Sequence, residues 1–353
     1  MILPAILAVG ALAALPAACR PVTGPPGGEG ILVVSDRGGA ARIYELDPDG
    51  TARLVGSADA GDRSHADGMP ARLPDGRVVF VSDRDGSPSI YLASAGGDSA
   101  IRLLPAPAGA GERSDTAEGT GDPAVAFADV EPSPLGRDAI LFTRRPPGGP
   151  GDLYTVKLDG SGLRRLTRHP ADDRAPAAST DGRSIAFVSD RGGAPRIYLL
   201  TDLAGADPDA AAVDLTGGAI EPLLPPGVRL RDDGPVFLPD GSIAFSRGVE
   251  GGLSHIFIMG AAGAAAGLRQ VTDSITLPFG AGEPVALPDG SILLTAGPAP
   301  PPEEDTTGVP RFAVYRIAAG GFNLDRVSRE AIAYDDFSRH LSSGGWAGWA
   351  GIP

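Results

Sequence analysis

Ser179-Thr180-Asp181-Gly182-Arg183-Ser184-Ile185-Ala186-Phe187-Val188-Ser189-Asp190-Arg191-Gly192-Gly193-Ala194-Pro195-Arg196-Ile197-Tyr198 holds three local signals in a fixed order. Thr180-Asp181-Gly182 is a turn, because aspartate bonds nearby backbone N–H groups and glycine accepts the positive φ that closes a hairpin. A short apolar run then enters a second polar hairpin at Ser189-Asp190-Arg191-Gly192, and an aliphatic-aromatic pair, Ile197-Tyr198, starts the next strand. A fourth signal, Leu215-Thr216, closes the unit.

The same order recurs along the chain. Turns recur at Pro74-Asp75-Gly76, Pro134-Leu135-Gly136, Pro239-Asp240-Gly241 and Pro288-Asp289-Gly290. The polar hairpin recurs at Ser35-Asp36-Arg37-Gly38 and Ser82-Asp83-Arg84, and in degenerate form at Thr143-Arg144-Arg145, Ser246-Arg247-Gly248 and Thr295. The aliphatic-aromatic pair recurs at Ile43-Tyr44, Ile90-Tyr91, Leu153-Tyr154, Ile256-Phe257 and Val314-Tyr315, and the closing pair at Leu166-Thr167, Val271-Thr272 and Val327-Ser328. From Ser35 to Thr295 the repeat averages 52 residues. A unit of four short strands at this spacing predicts an all-β fold, a β-propeller of four-stranded antiparallel blades. Six blades are expected. The C-terminal segment 335–345 aligns without a gap on 172–182, so it is expected to join the N-terminal blade as its innermost strand and close the ring.

With these motifs in order, residues 31–345 resemble the TolB-type, WD40-like (PD40) propeller repeats of bacterial envelope proteins. The resemblance implies a propeller alone, without the additional α/β domain that precedes it in TolB. It further implies a role in binding envelope proteins.

Leader and composition fit that address. Residues 2–18 form an uncharged apolar run ending in Ala17-Ala18, read as a signal peptide, 1–18. Leu15-Pro16-Ala17-Ala18-Cys19 resembles a lipobox, which implies lipidation at Cys19 and a membrane anchor; the other reading of this one cysteine is a chance residue near an ordinary cleavage site. A flexible linker, 19–30, follows the cysteine, and 346–353 forms a tail carrying Trp346 and Trp349. The location expected is thus exported, periplasmic or anchored at the outer membrane. A net charge of −14, with Lys157 the one lysine, argues against a sequence-independent hold on nucleic acid, which needs clustered cations to displace counterions from phosphates.

No nucleophile elbow, zinc helix, dinucleotide loop or phosphate loop stands in the chain, so no enzyme is expected. The candidate site comes from the repeat register. Asp67, Asp173, Asp232 and Asp336 stand nine residues before a turn glycine, and Asp129 takes the corresponding place three residues before Pro132. The last blade has Ala281 there, with Glu283 two positions on. In a ring these positions gather around the channel mouth, with His65 and His169 close by. Two readings remain open for the aspartates. They form a site for a cationic ligand or Ca²⁺, which takes oxygen ligands, or each caps the backbone of its own loop.

The leading expectation is a lipid-anchored, non-catalytic interaction module with envelope protein partners. The alternative is a small-molecule, glycan or cation binder working at the acidic channel mouth. Segments 106–124 and 297–310 read as solvated loops available to either.

Overall fold

The computed structural model describes residues 31–333 apart from the segments 36–39, 47–51, 58–63, 95–96, 98, 106–126, 218–228, 250–251, 265–266, 279, 300–310, 319, 321–323 and 327–331. Cys19, Asp336, both tryptophans, the segment 106–124 and most of 297–310 therefore lie outside the described residues.

Five antiparallel blades follow one another. They are β4 (Asp67–Arg72) to β7 (Ala100–Arg102) through β5 (Val78–Ser82) and β6 (Ser89–Ala93), and β8 (Ala128–Leu135) to β11 (Arg164–Arg165) through β9 (Ala139–Arg145) and β10 (Asp152–Lys157). Next come β12 (Asp173–Ala178) to β15 (Val213–Asp214) through β13 (Ile185–Ser189) and β14 (Arg196–Leu200), and β16 (Leu230–Phe237) to β19 (Leu268–Gln270) through β17 (Ile243–Val249) and β18 (Ser254–Met259). The fifth runs from β20 (Ala281–Ala286) through β21 (Ile292–Ala299) and β22 (Arg311–Ile317) to β23 (Asp325–Arg326), and β24 (Ile332–Ala333) adds to β22.

The blade count corrects the sequence expectation. Five blades, not six, have four strands; ahead of them, β1 (Ile31–Ser35), β2 (Arg42–Leu46) and β3 (Ala52–Val55) form a three-stranded sheet. The reason is visible in the register, since β1 runs into its hairpin as β5 and β13 do and so holds the second place in its sheet. Among the described residues nothing occupies the first place, and 335–345, expected there, lies outside them.

First strands line the axis. β4, β8, β12, β16 and β20 touch one another in that succession, and β1, in the second place of its sheet, touches β4. Backbone bonds pin four of them to the sheet before: Asp67 N–H donates to Ala41 (2.9 Å), Asp129 to Pro88 (3.0 Å), Asp173 to Gly151 (2.9 Å) and Asp232 to Pro195 (3.1 Å). The cores lie between sheets, not within them. Leu141, Leu153 and Leu166 of one blade meet Ile185, Phe187 and Leu200 of the next, and similar clusters fill the other junctions. A sheet covered on both faces needs unbroken apolar strands, and β5, β6, β13 and β14 are buried at every position.

The turn chemistry is explicit. Gly76, Gly182, Gly241 and Gly290 have φ between 68° and 88°, and the aspartate before each of them accepts the N–H two residues on, as Asp75 does from Arg77 at 3.0 Å, Asp181 from Arg183 at 3.1 Å, Asp240 from Ser242 at 2.9 Å and Asp289 from Ser291 at 3.0 Å. The closing threonines have a backbone role: Thr167, Thr216 and Thr272 accept the buried N–H of Leu153, Ile197 and Ile256 at 2.9, 3.0 and 2.9 Å. They continue the ladder where the fourth strand has ended. Thr216→Val leaves the Ile197 N–H without an acceptor, so urea denaturation should show a loss of about 1–3 kcal/mol, and an unchanged midpoint would remove the threonine from this role.

Candidate functional site

The four described aspartates of the channel register are buried, and each meets an arginine of its own blade. Arg84 reaches Asp67 at 2.9 Å and Arg191 reaches Asp173 at 2.8 Å, each with one nitrogen. Arg144 grips Asp129 with two nitrogens at 2.6 and 2.8 Å, and Arg247 grips Asp232 at 2.5 and 2.7 Å. These arginines come from the polar hairpins, 15 to 18 residues further on.

Each guanidinium also lies on two rings. Arg84 covers Phe80 and Tyr91, Arg144 covers Phe142 and Tyr154, Arg191 covers Phe187 and Tyr198, and Arg247 covers Phe245 and Phe257, with Cζ 4.7 to 5.9 Å from the ring centroids. The rings are cross-strand partners 5.8 to 6.2 Å apart. Carboxylate, guanidinium and π faces thus form one stack per blade, combining a charge-assisted hydrogen bond with cation–π attraction.

The blade β20–β23 loses the stack as a unit. Ala281 replaces aspartate and faces Ala296, just as Asp232 faces Arg247 and Asp129 faces Arg144. Leu294 replaces phenylalanine opposite Tyr315. Leu277, buried with Ala281, Leu294 and Ala296, fills the junction instead.

The two histidines are placed differently, His65 beside its aspartate and His169 within its own loop. His65 Nε2 lies 3.5 Å from Asp67 Oδ2, and His169 Nδ1 accepts the Ala171 N–H at 3.1 Å. Beside the Asp173 stack, burial pushes the Asp152 carboxyl up to about 6, against the pull of Arg165 and with the help of Asp173 and Asp209. Asp173 is likewise raised by burial, in part offset by the Ser189 hydroxyl and Arg191. Among the described residues no group of three or more His, Cys, Asp or Glu is arranged to hold a metal ion.

The residue two places after each aspartate position has a common backbone setting. Every first strand carries a bulge there, between Gly68 and Ala71, Val130 and Ser133, Arg174 and Ala177, Asp233 and Val236, and Gly282 and Val285. Its residue is left-handed: Met69, Glu131, Ala175, Gly234 and Glu283 have φ of 50°, 56°, 48°, 56° and 55°. Pro70, Pro132, Pro176, Pro235 and Pro284 follow, and a residue with no N–H fits where the ladder is interrupted. The bulges interlock, since Glu131 N–H donates to Met69 Sδ at 3.4 Å and Ala175 N–H donates to the Glu131 carboxylate at 2.7 Å. Glu131 was not among the residues singled out in the sequence. The signal that would have found it is the proline three residues after every aspartate position.

Relatives can now be set beside this geometry. No family model matches the chain. The Tol-Pal system protein TolB of Bordetella pertussis is 50% identical over 56 residues, 16% of this chain and 13% of that protein. A TolB homolog of Chlorobium luteolum is 30% identical over 177 residues, 49% of this chain and 34% of that protein. The crystal structure of TolB from Acinetobacter baumannii superposes with a TM-score of 0.57 at 18% identity, covering 88% of this chain and 66% of that one. This chain is a TolB-like β-propeller protein. The TolB-like propeller spans at most about a third of the length of these two curated relatives. Its fold is shared more widely, for a puromycin-hydrolyzing peptidase of Mycobacterium tuberculosis superposes with a TM-score of 0.53 at 15% identity over 86% of this chain and 45% of that one.

Burying one partner of an ion pair without the other is costly, so Asp232→Ala should destabilise the TolB-like propeller by about 3–5 kcal/mol in chemical denaturation. A loss below about 1 kcal/mol, the value of an exposed pair, would show the stack to be incidental.

Proposed function

We propose that the protein is an exported, non-catalytic interaction module of the bacterial envelope, anchored through an acylated Cys19, that docks a protein partner on the hairpin end of its propeller. The observation that carries the reading is an apolar cluster at that end. Ile275 is 92% exposed, Leu253 49% and Val249 41%. Val249 and Leu253 flank the hairpin between β17 and β18, where other blades place charged hairpins. Ile275 stands on the next loop, held by the Asp273 carboxylate, which accepts the N–H groups of Ile275 and Thr276 at 3.0 and 2.9 Å. The two loops abut: His255 bonds Ser274 at 3.2 Å, and a Cβ at Gly280 would lie 3.3 Å from Leu253 Cβ. Apolar side chains displayed together on a stiff loop mark a surface that another protein covers.

The relatives' place in the Tol-Pal system supports an envelope partner, and the apolar leader supports export. For the alternative, a ligand at the acidic mouth, the aspartates offer oxygens already bound to guanidinium.

Photo-crosslinking residues at positions 275 and 181, on opposite ends of the blades, test the reading in intact cells. A partner adduct from 275 and none from 181, with Cys19→Ser shifting the protein from the membrane to the soluble fraction, is expected. Equal or absent adducts at both positions would contradict docking at the hairpin end, and unchanged fractionation would contradict the anchor.

A further inference from the structure

Cations are scarce in a chain of net charge −14, and many of those at the hairpin end are already paired. Arg84, Arg144, Arg191 and Arg247 lie in the stacks, and Arg145 and Arg174 bond Asp172. Arg229 and Arg231, where the chain enters β16, differ. Both are exposed, Arg229 gives one nitrogen to the Gly193 carbonyl at 3.2 Å, and among the described residues neither forms an ion pair. Carboxylates of the same end are engaged elsewhere: Asp190 by Arg174 at 2.9 Å, Asp232 by Arg247 at 2.5 and 2.7 Å, and Asp273 by the backbone of its own loop.

Register sets these arginines beside the apolar cluster. Leu230 pairs with Val249 and Arg231 with Gly248, and residues directly opposite in an antiparallel pair share a face. The glycine offers no side chain to cover Arg231, and a Cβ there would lie 2.6 Å from the Leu253 carbonyl oxygen, so the hairpin leaves no room for one. Gly248 pairs in turn with Ser254, whose hydroxyl donates to the Ala281 carbonyl at 3.0 Å. The row that begins at Arg231 thus ends against β20, which follows the loop that displays Ile275.

We propose that the segment covering this end is an acidic stretch of a protein partner, with apolar side chains over Val249, Leu253 and Ile275 and carboxylates set on Arg229 and Arg231. This partner chemistry rests on the docking proposed above. A guanidinium fork meets a carboxylate with two parallel hydrogen bonds, and arginine beside apolar surface is typical of the contacts that carry binding energy. The chain's own negative charge does not oppose it, because exposed charges more than about 8–10 Å apart are screened at physiological salt, while close pairs fix register. An anionic lipid surface suits the place less well, since attraction to a membrane takes a cluster of about four to eight cations, and two stand at this entry.

Lys157, the one lysine, is exposed at the turn end of β10, so carbodiimide coupling, which joins an amine to a carboxylate without a spacer, can be aimed by single Arg→Lys changes in the full chain. In isolated envelopes, Arg231→Lys or Arg229→Lys should couple to an Asp or Glu of the same protein that photo-crosslinks from position 275. Lys157, and Arg168→Lys on the exposed loop after β11, should not couple to it. Arg229→Glu combined with Arg231→Glu should lower the position-275 adduct several-fold with an unchanged urea midpoint, while Arg→Lys at both places should retain it. An adduct at 275 that resists charge reversal, or coupling only to carboxylates within this chain, would overturn the acidic partner and leave the docking intact. An adduct of two copies, or arginine-dependent binding to phosphatidylglycerol vesicles without a partner adduct, would overturn it in favour of self-association or lipid. Absence of any adduct at 275 would remove the docking and its partner together.

Discussion

A guanidinium enclosed between two β-sheets needs a carboxylate to meet its charge and a flat surface to cover its face. Four blades supply both from the same register, with Asp67, Asp129, Asp173 and Asp232 at the start of the first strand, the arginine from the next hairpin, and two cross-strand aromatics beneath. The same aspartates donate their backbone N–H, in every case, to the blade before. One residue thus fixes the hairpin above it, the ring pair behind it and the neighbouring blade. The apolar junctions supply most of the burial, and the stacks set which hairpin sits over which strand.

The blade that lacks the stack shows what it does elsewhere. With Ala281, Ala296 and Leu294 in place of the charged and aromatic residues, the junction closes on Leu277, and the loop carrying it also displays Ile275. The same blade holds Glu283, whose carboxylate accepts the Thr295 hydroxyl. Loss of a repeated internal contact and an exposed apolar cluster therefore fall in one sector of the ring. That asymmetry separates the hairpin end near β18 and β20 from an otherwise regular repeat.

Much of the fold was legible because turn chemistry is local. Proline, aspartate and glycine at 74–76, 239–241 and 288–290 act within four residues, and the structure places them in turns. The aspartate register was legible for the same reason, but its partner was not: Arg144 and Arg247 meet Asp129 and Asp232 across strands, at a sequence distance that no local rule specifies. Glu131 was hidden by the bulge, whose left-handed residue strand alternation does not anticipate. The number of complete blades differed because alignment of 335–345 with 172–182 expresses similarity of sequence, whereas the described residues leave the first place beside β1 unfilled.

The most direct measurement of the account is a double-mutant cycle on Asp232 and Arg247 by chemical denaturation. The Ala281–Ala296 pair shows that a blade of this protein accepts alanine at both places. The account predicts that Asp232→Ala combined with Arg247→Ala costs clearly less than the sum of the two single changes, by a coupling on the order of 1–3 kcal/mol. Additive losses would contradict it, since the two side chains would then stabilise the ring independently and not as one buried unit.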